Sequence, residues 1–83
     1  MPMNIKTHHN TLIVKIQGEL DHHTAEGIRD ELDNKLENQR IKNIIFDFSG
    51  LHFMDSSGIG VIMGRYKKIA QRNGQAGVYK MNP

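Results

Sequence analysis

The chain has 83 residues, five histidines, no cysteine and a formal net charge of +2. At that length it makes one small domain burying only about 60–65% of the surface its unfolded chain exposes. Without cysteine it has neither disulfides nor thiolate chemistry, and no apolar run reaches signal-peptide or membrane-spanning length, so a soluble, cytoplasmic protein is expected. Basic residues alternate with acids from Lys6 to Lys80. The one local basic group, Arg65, Lys67, Lys68 and Arg72, reads as a solvated helix face rather than a nucleic-acid surface.

In chain order, Asn4–Thr7 reads as a weak strand. The β-branched run Thr11–Gly18 is a stronger one, with His8-His9-Asn10 as the hairpin turn between them. Ala25, Ile28, Leu32 and Leu36 recur at helical spacing, and with Asp21 or Thr24 available as a cap they predict a helix over Thr24–Asn38. Asn43–Phe48 is almost continuously apolar, as expected of a strand buried on both faces of a parallel sheet. After a loop over Ser49–Asp55, the residues Ile59, Ile62, Met63, Tyr66, Ile69 and Ala70 form the stripe expected to face the core from a second helix. That helix is predicted to stop near Asn73-Gly74, and Gln75–Met81 to form the last strand. The order β-β-α-β-α-β with right-handed crossovers predicts an α/β fold. Its sheet is mixed, the last three strands are parallel and both helices lie on one face. Residues 1–83 read as a single domain, with no repeat or linker.

In open α/β sheets, ligands and partners meet the carboxyl ends of the parallel strands. Two loops fall there, Gly18–Thr24 and Ser49–Ser57, which brings Glu19 and Asp21 toward Asp55, Ser56 and Ser57. One serine stands where a helix cap is expected, and either hydroxyl is also a candidate phosphoacceptor. A phosphoryl group there adds a charge of about −1.5 to −2 beside the helix's positive end. Along the second helix Gly60 and Gly64 project away from the predicted stripe with Ser57, Lys67, Lys68 and Gln71. Each glycine costs about 1 kcal/mol relative to alanine, so close approach of a partner backbone is expected there. Val61, also off the stripe, extends that contact surface.

Other chemistries fit less well. Ser56 as a nucleophile lacks a strand-Gly-x-Ser-x-Gly elbow and an activating triad, although His22 or His23 lies in the adjacent loop, so no catalytic residue is expected. A metal site from His8, His9, His22, His23 and His52 is disfavoured because neighbouring side chains point apart and His8-His9 sits at the far end of the hairpin. A small nucleotide-binding module is the alternative reading, through the free amides of Ser56–Gly60. There is no Walker lysine pattern, and Glu19 and Asp21 repel phosphates, so no cofactor is expected.

Gly18-Glu19-Leu20-Asp21-His22-His23-Thr24-Ala25-Glu26 and Phe53-Met54-Asp55-Ser56-Ser57-Gly58-Ile59-Gly60-Val61-Ile62-Met63-Gly64-Arg65-Tyr66-Lys67 closely resemble the anti-sigma factor antagonists of the STAS domain family. The similarity runs from the first strand to about Tyr79. The resemblance implies a non-enzymatic, phosphorylation-controlled partner switch of sporulating bacteria. Unphosphorylated, such a protein binds the anti-sigma F factor, a serine kinase that itself holds ATP or ADP, and so releases sigma F. The kinase phosphorylates the first serine of the Asp-Ser-Ser-Gly motif, here Ser56, and a PP2C-type sporulation phosphatase reverses this. Glu19, Asp21, His22, His23 and Thr24, together with Asp55, Ser57, Gly58, Gly60, Val61 and Gly64, correspond to the docking surface. Asp21 either orients the serine hydroxyl or contacts the partner, and Asp55 shapes the turn. The family pattern continues past the last strand with a helix, a strand and a terminal helix. The chain is therefore expected to be C-terminally truncated, with its outermost strand uncovered.

Overall fold

The structure, a computed structural model, describes residues 3–80. Strands β1 (Met3–His8) and β2 (Thr11–Leu20) form an antiparallel hairpin. Its two-residue turn is made possible by the left-handed conformation of His9, φ 53°. Helix α1 (Ala25–Leu36), strand β3 (Asn43–Met54), helix α2 (Ser56–Gln71) and strand β4 (Ala76–Tyr79) follow. The sheet order is β1-β2-β3-β4, with β2, β3 and β4 mutually parallel. The mixed α/β sheet is thus the predicted one.

Alternation along the strands builds the core. Leu12, Val14 and Ile16 of β2 and Ile44, Phe46 and Phe48 of β3 are buried on one face, under Ala25, Ile28, Leu32 and Leu36 of α1 and Val61 and Ile69 of α2. The other face is not covered in the same way. Ile45 is 40% exposed, which corrects the expectation that β3 is buried on both sides: both crossovers put their helix on the same face.

Residues Ser49–Met54, expected in a loop, continue β3 alongside an equally lengthened β2, through Gln17↔Gly50, Gly18↔Leu51, Glu19↔Phe53 and Leu20↔Met54. Two register shifts interrupt this pairing, the second between Gly18 and Glu19. Gly18 takes φ +79° there, a left-handed conformation that glycine adopts without a Cβ penalty and that suits a bulge near a functional edge. Strand β4 is shorter than predicted, and Met81 lies outside the described residues.

The larger correction concerns α2. Its buried residues are Gly58, Val61, Arg65 and Ile69, whereas Ile59, Met63 and Tyr66 are 52%, 55% and 50% exposed. Ala70 is also exposed, and of the remaining predicted stripe Ile62 packs only partly against the core. Polar ties to α1 accompany this rotation. Arg65 Nε lies 3.1 Å from Asp33 Oδ1, and Lys68 Nζ donates to the same oxygen at 2.9 Å. Arg72 donates to the carbonyl of Leu36, which the last turn of α1 leaves unpaired, and at 3.0 Å to that of Ile41 in the connection before β3. Three of the four basic residues read as a solvated face therefore hold the helices together. Helix α2 ends as predicted, with Asn73 left-handed at φ 60° and Gly74 N donating to Ile69 O at 3.0 Å.

Candidate functional site

Strand β3 delivers Asp55 to the head of α2 in an extended conformation, φ −106° and ψ −172°. Its Oδ1 accepts from Ser57 N at 2.9 Å and Gly58 N at 3.2 Å, which makes Asp55 the helix cap. Neither serine fills that role. Its other oxygen, Oδ2, accepts from His22 N at 3.2 Å, and its amide donates to Leu20 O at 3.3 Å. One carboxylate thus ties the loop after β2 to the start of α2, so the two sequence-predicted loops meet at one sheet edge.

The facing loop is organised by Asp21. Its Oδ1 accepts from His23 N at 2.9 Å and Thr24 N at 3.1 Å. Thr24 Oγ1 accepts from Asp21 N at 3.0 Å and donates to Glu19 O at 3.1 Å. This reciprocal turn starts α1. Partial burial pushes the Asp21 carboxyl up, but the amides of Thr24 and His23 and the nearby His23 side chain outweigh it and hold the carboxyl below its ordinary value. The geometry gives Asp21 a role in shaping the loop that presents Glu19, His22 and His23, all three exposed.

Around this frame Ser56 is exposed and Ser57 half-buried. Gly58 and Val61, expected on the contact surface, are buried, which corrects that expectation. A Cβ on Gly58 would collide with the Leu20 carbonyl and lie 2.7 Å from Leu20 Cγ. Its lack of a side chain is what lets α2 seat on the end of β2. Val61 joins the core. Gly60 and Gly64 differ, since a Cβ on either meets nothing within 4 Å; the fold itself does not require glycine at either position.

The exposed apolar residues beside Ser56 were missed by the sequence reading. The helical spacing places Ile59, Met63 and Tyr66 inward, and no pattern in the sequence singles out Phe53, which is 53% exposed at the end of β3. The available signal was an excess: α2 carries more large apolar side chains than one core-facing stripe uses. Beside them, a cleft of about 460 Å³ opens between the helices, lined by residues that include His22, Arg29, Ser57, Gly60 and Arg65.

Known proteins share this fold. A family model described as STAS domain matches residues 2–83. An anti-sigma F factor antagonist of Paenibacillus polymyxa is 41% identical over 83 residues, covering all of this chain and 71% of the relative. A Lysinibacillus sphaericus protein of the same name is 39% identical over 59 residues, covering 71% of this chain and half of the relative. Among solved structures, the anti-sigma factor antagonist SpoIIAA in its unphosphorylated form superposes with TM-score 0.83 at 30% identity, over 98% of this chain and 74% of that one. The Bacillus SpoIIAA in its phosphorylated form gives 0.82 over the same shares.

Proposed function

The chain belongs to the STAS domain family, and from that premise we propose that it is an anti-sigma factor antagonist, a binding switch rather than a catalyst, with Ser56 as its phosphoacceptor. The observation that carries the assignment is the division of labour at the head of α2. Asp55 caps the helix, so the exposed Ser56 hydroxyl has no capping task and stands at the surface. Ser57 is half-buried against the cleft.

In this reading the unphosphorylated protein docks the anti-sigma F factor through the edge formed by Glu19, His22, His23, Ser56, Gly60 and Gly64. The exposed apolar residues Ile59 and Met63 of α2 widen that surface. Docking releases sigma F. The anti-sigma factor is the serine kinase, supplies the nucleotide, and phosphorylates Ser56; a PP2C-type phosphatase restores the protein. All of this takes place in the cytoplasm, and no helix among the described residues is long and apolar enough to cross a membrane. The phosphoryl group acts on docking more than on the fold. It adds a charge of about −1.5 to −2 at an edge that already presents Asp55, Asp21 and Glu19, and that charge must be desolvated against the partner.

Titration calorimetry with the cognate anti-sigma factor tests the switch. Wild type and Ser56→Ala are expected to bind alike, and Ser56→Asp at least tenfold more weakly, about 1.4 kcal/mol. Equal affinity of Ser56→Asp and wild type would rule out charge as the means of exclusion.

A further inference from the structure

Strand β4 ends the sheet order, and among the described residues nothing pairs with its outer edge. Ile44 N donates to Gln75 O at 3.0 Å, so in the parallel ladder Gln75, Gly77 and Tyr79 turn their backbone groups toward β3. Alternation leaves the N–H and C=O of Ala76 and Val78 directed to the open side. Sheet edges are commonly protected by charge, proline or a bulge. Ala76–Tyr79 carries neither charge nor proline, and its register with β3 is unbroken.

The side chains at this edge complement one another. Val78, level with the buried Phe46, lies on the helix side of the sheet and is 61% exposed. Gly77 and Tyr79 lie on the opposite face, level with Ile45 and Asp47, and Tyr79 is 45% exposed. A Cβ on Gly77 would meet nothing within 4 Å. Around it lies a hollow of about 310 Å³ whose lining includes Thr11, Asn43, Ile45 and Gln75. An aromatic ring and a glycine hollow thus stand two residues apart on the same strand and the same face. A two-fold axis at the residue between them places each ring over the other copy's hollow.

We propose that a second copy of this chain pairs antiparallel with β4 about a two-fold axis at Val78. The two Val78 residues then exchange both backbone hydrogen bonds. Gly77 faces Tyr79 of the other copy in the closer, non-hydrogen-bonded kind of pair, so the ring covers the glycine and reaches toward Ile45. Lys80 faces Ala76, so no like charges are opposed across the seam. The contact is isologous and closes at two copies. An edge this short buries less than about 1,200 Å², which places the dimer in the weak, reversible class. No residue of the docking edge takes part, so the pairing is independent of the switch proposed above.

Sedimentation equilibrium of the whole chain over a concentration series tests it, with circular dichroism to confirm that each variant is folded. The expected result is a mass that rises with concentration toward that of two copies and no further. Val78→Lys sets two ammonium groups against each other at the axis and is expected to weaken association at least tenfold, as is Val78→Glu. An equimolar mixture of the two is expected to associate again, because position 78 faces itself. Tyr79→Ser is expected to weaken association at least fivefold. A monomer at every concentration, which would leave the edge to a partner's strand or to a further segment of the chain, would overturn the second copy. Association unchanged in Val78→Lys or in Tyr79→Ser, or a mixture of the charged variants that stays monomeric, would overturn the pairing at Val78.

Discussion

Helices α1 and α2 lie side by side on the same sheet, but they use their apolar residues differently. In α1 the four apolar residues Ala25, Ile28, Leu32 and Leu36 are all buried, and charged or amide side chains occupy most of the rest. In α2 the apolar residues fall on two faces. Val61, Ile69 and part of Ile62 go inward, while Ile59, Met63 and Tyr66 stay half exposed. A helix with one apolar stripe has one way to sit. A helix with two needs further contacts to choose, and here Arg65 and Lys68 meet Asp33 of α1, with Gly58 fitting against Leu20. The face left outward is the one that adjoins Ser56.

The sharpest test of that contrast is truncation on each helix. Leu32→Ala is expected to cost about 2–5 kcal/mol in urea unfolding, and Tyr66→Ala or Met63→Ala less than about 1 kcal/mol. Comparable losses on both helices would mean that the outward face of α2 is core after all. Next in size is Gly58→Val, expected to cost about 1–3 kcal/mol because the obstructing group is a backbone carbonyl. Gly64→Ala, which meets nothing, should leave stability unchanged or slightly raised.

Asp55→Ala, somewhat milder than Gly58→Val, is expected to cost about 1–2 kcal/mol, since the cap of α2 and the link to His22 N vanish together. Ser57→Ala should cost less, because Ser57 is not the cap. The smallest effect is on pH dependence. The Asp21 carboxyl is held below its ordinary value of 3.8 in the folded protein, so its contribution is present above that value and lost as pH falls through the lower folded one. Asp21→Asn should flatten the acid limb of stability against pH; an unaltered limb would mean that the turn at Asp21 gains nothing from its charge.

The sequence was most readable where a pattern had a single interpretation. The stripe of α1, the hairpin at His8-His9-Asn10 and the stop at Asn73-Gly74 depend on neighbours in the chain, and the structure has all three, with the turn itself confined to His9-Asn10 because His8 pairs with Thr11. The long ends of β2 and β3 look like loops in the sequence because Gly18, Ser49 and Gly50 interrupt the apolar alternation; their pairing across register shifts is a property of two strands together. Likewise the burial of Arg65 depends on Asp33, 32 positions earlier in the sequence. At the site, the motif residues and their meeting at one edge were legible. That Asp55, not a serine, supplies the cap followed only from which carboxylate reaches the free amides.

The division of labour at the head of α2 is tested most directly by incubating the protein with its cognate anti-sigma kinase and ATP, then measuring intact mass and mapping the modified residue. One phosphoryl group on Ser56, absent from Ser56→Ala, is the predicted result. Phosphate on Ser57, or none on a folded protein that binds the kinase, would contradict it.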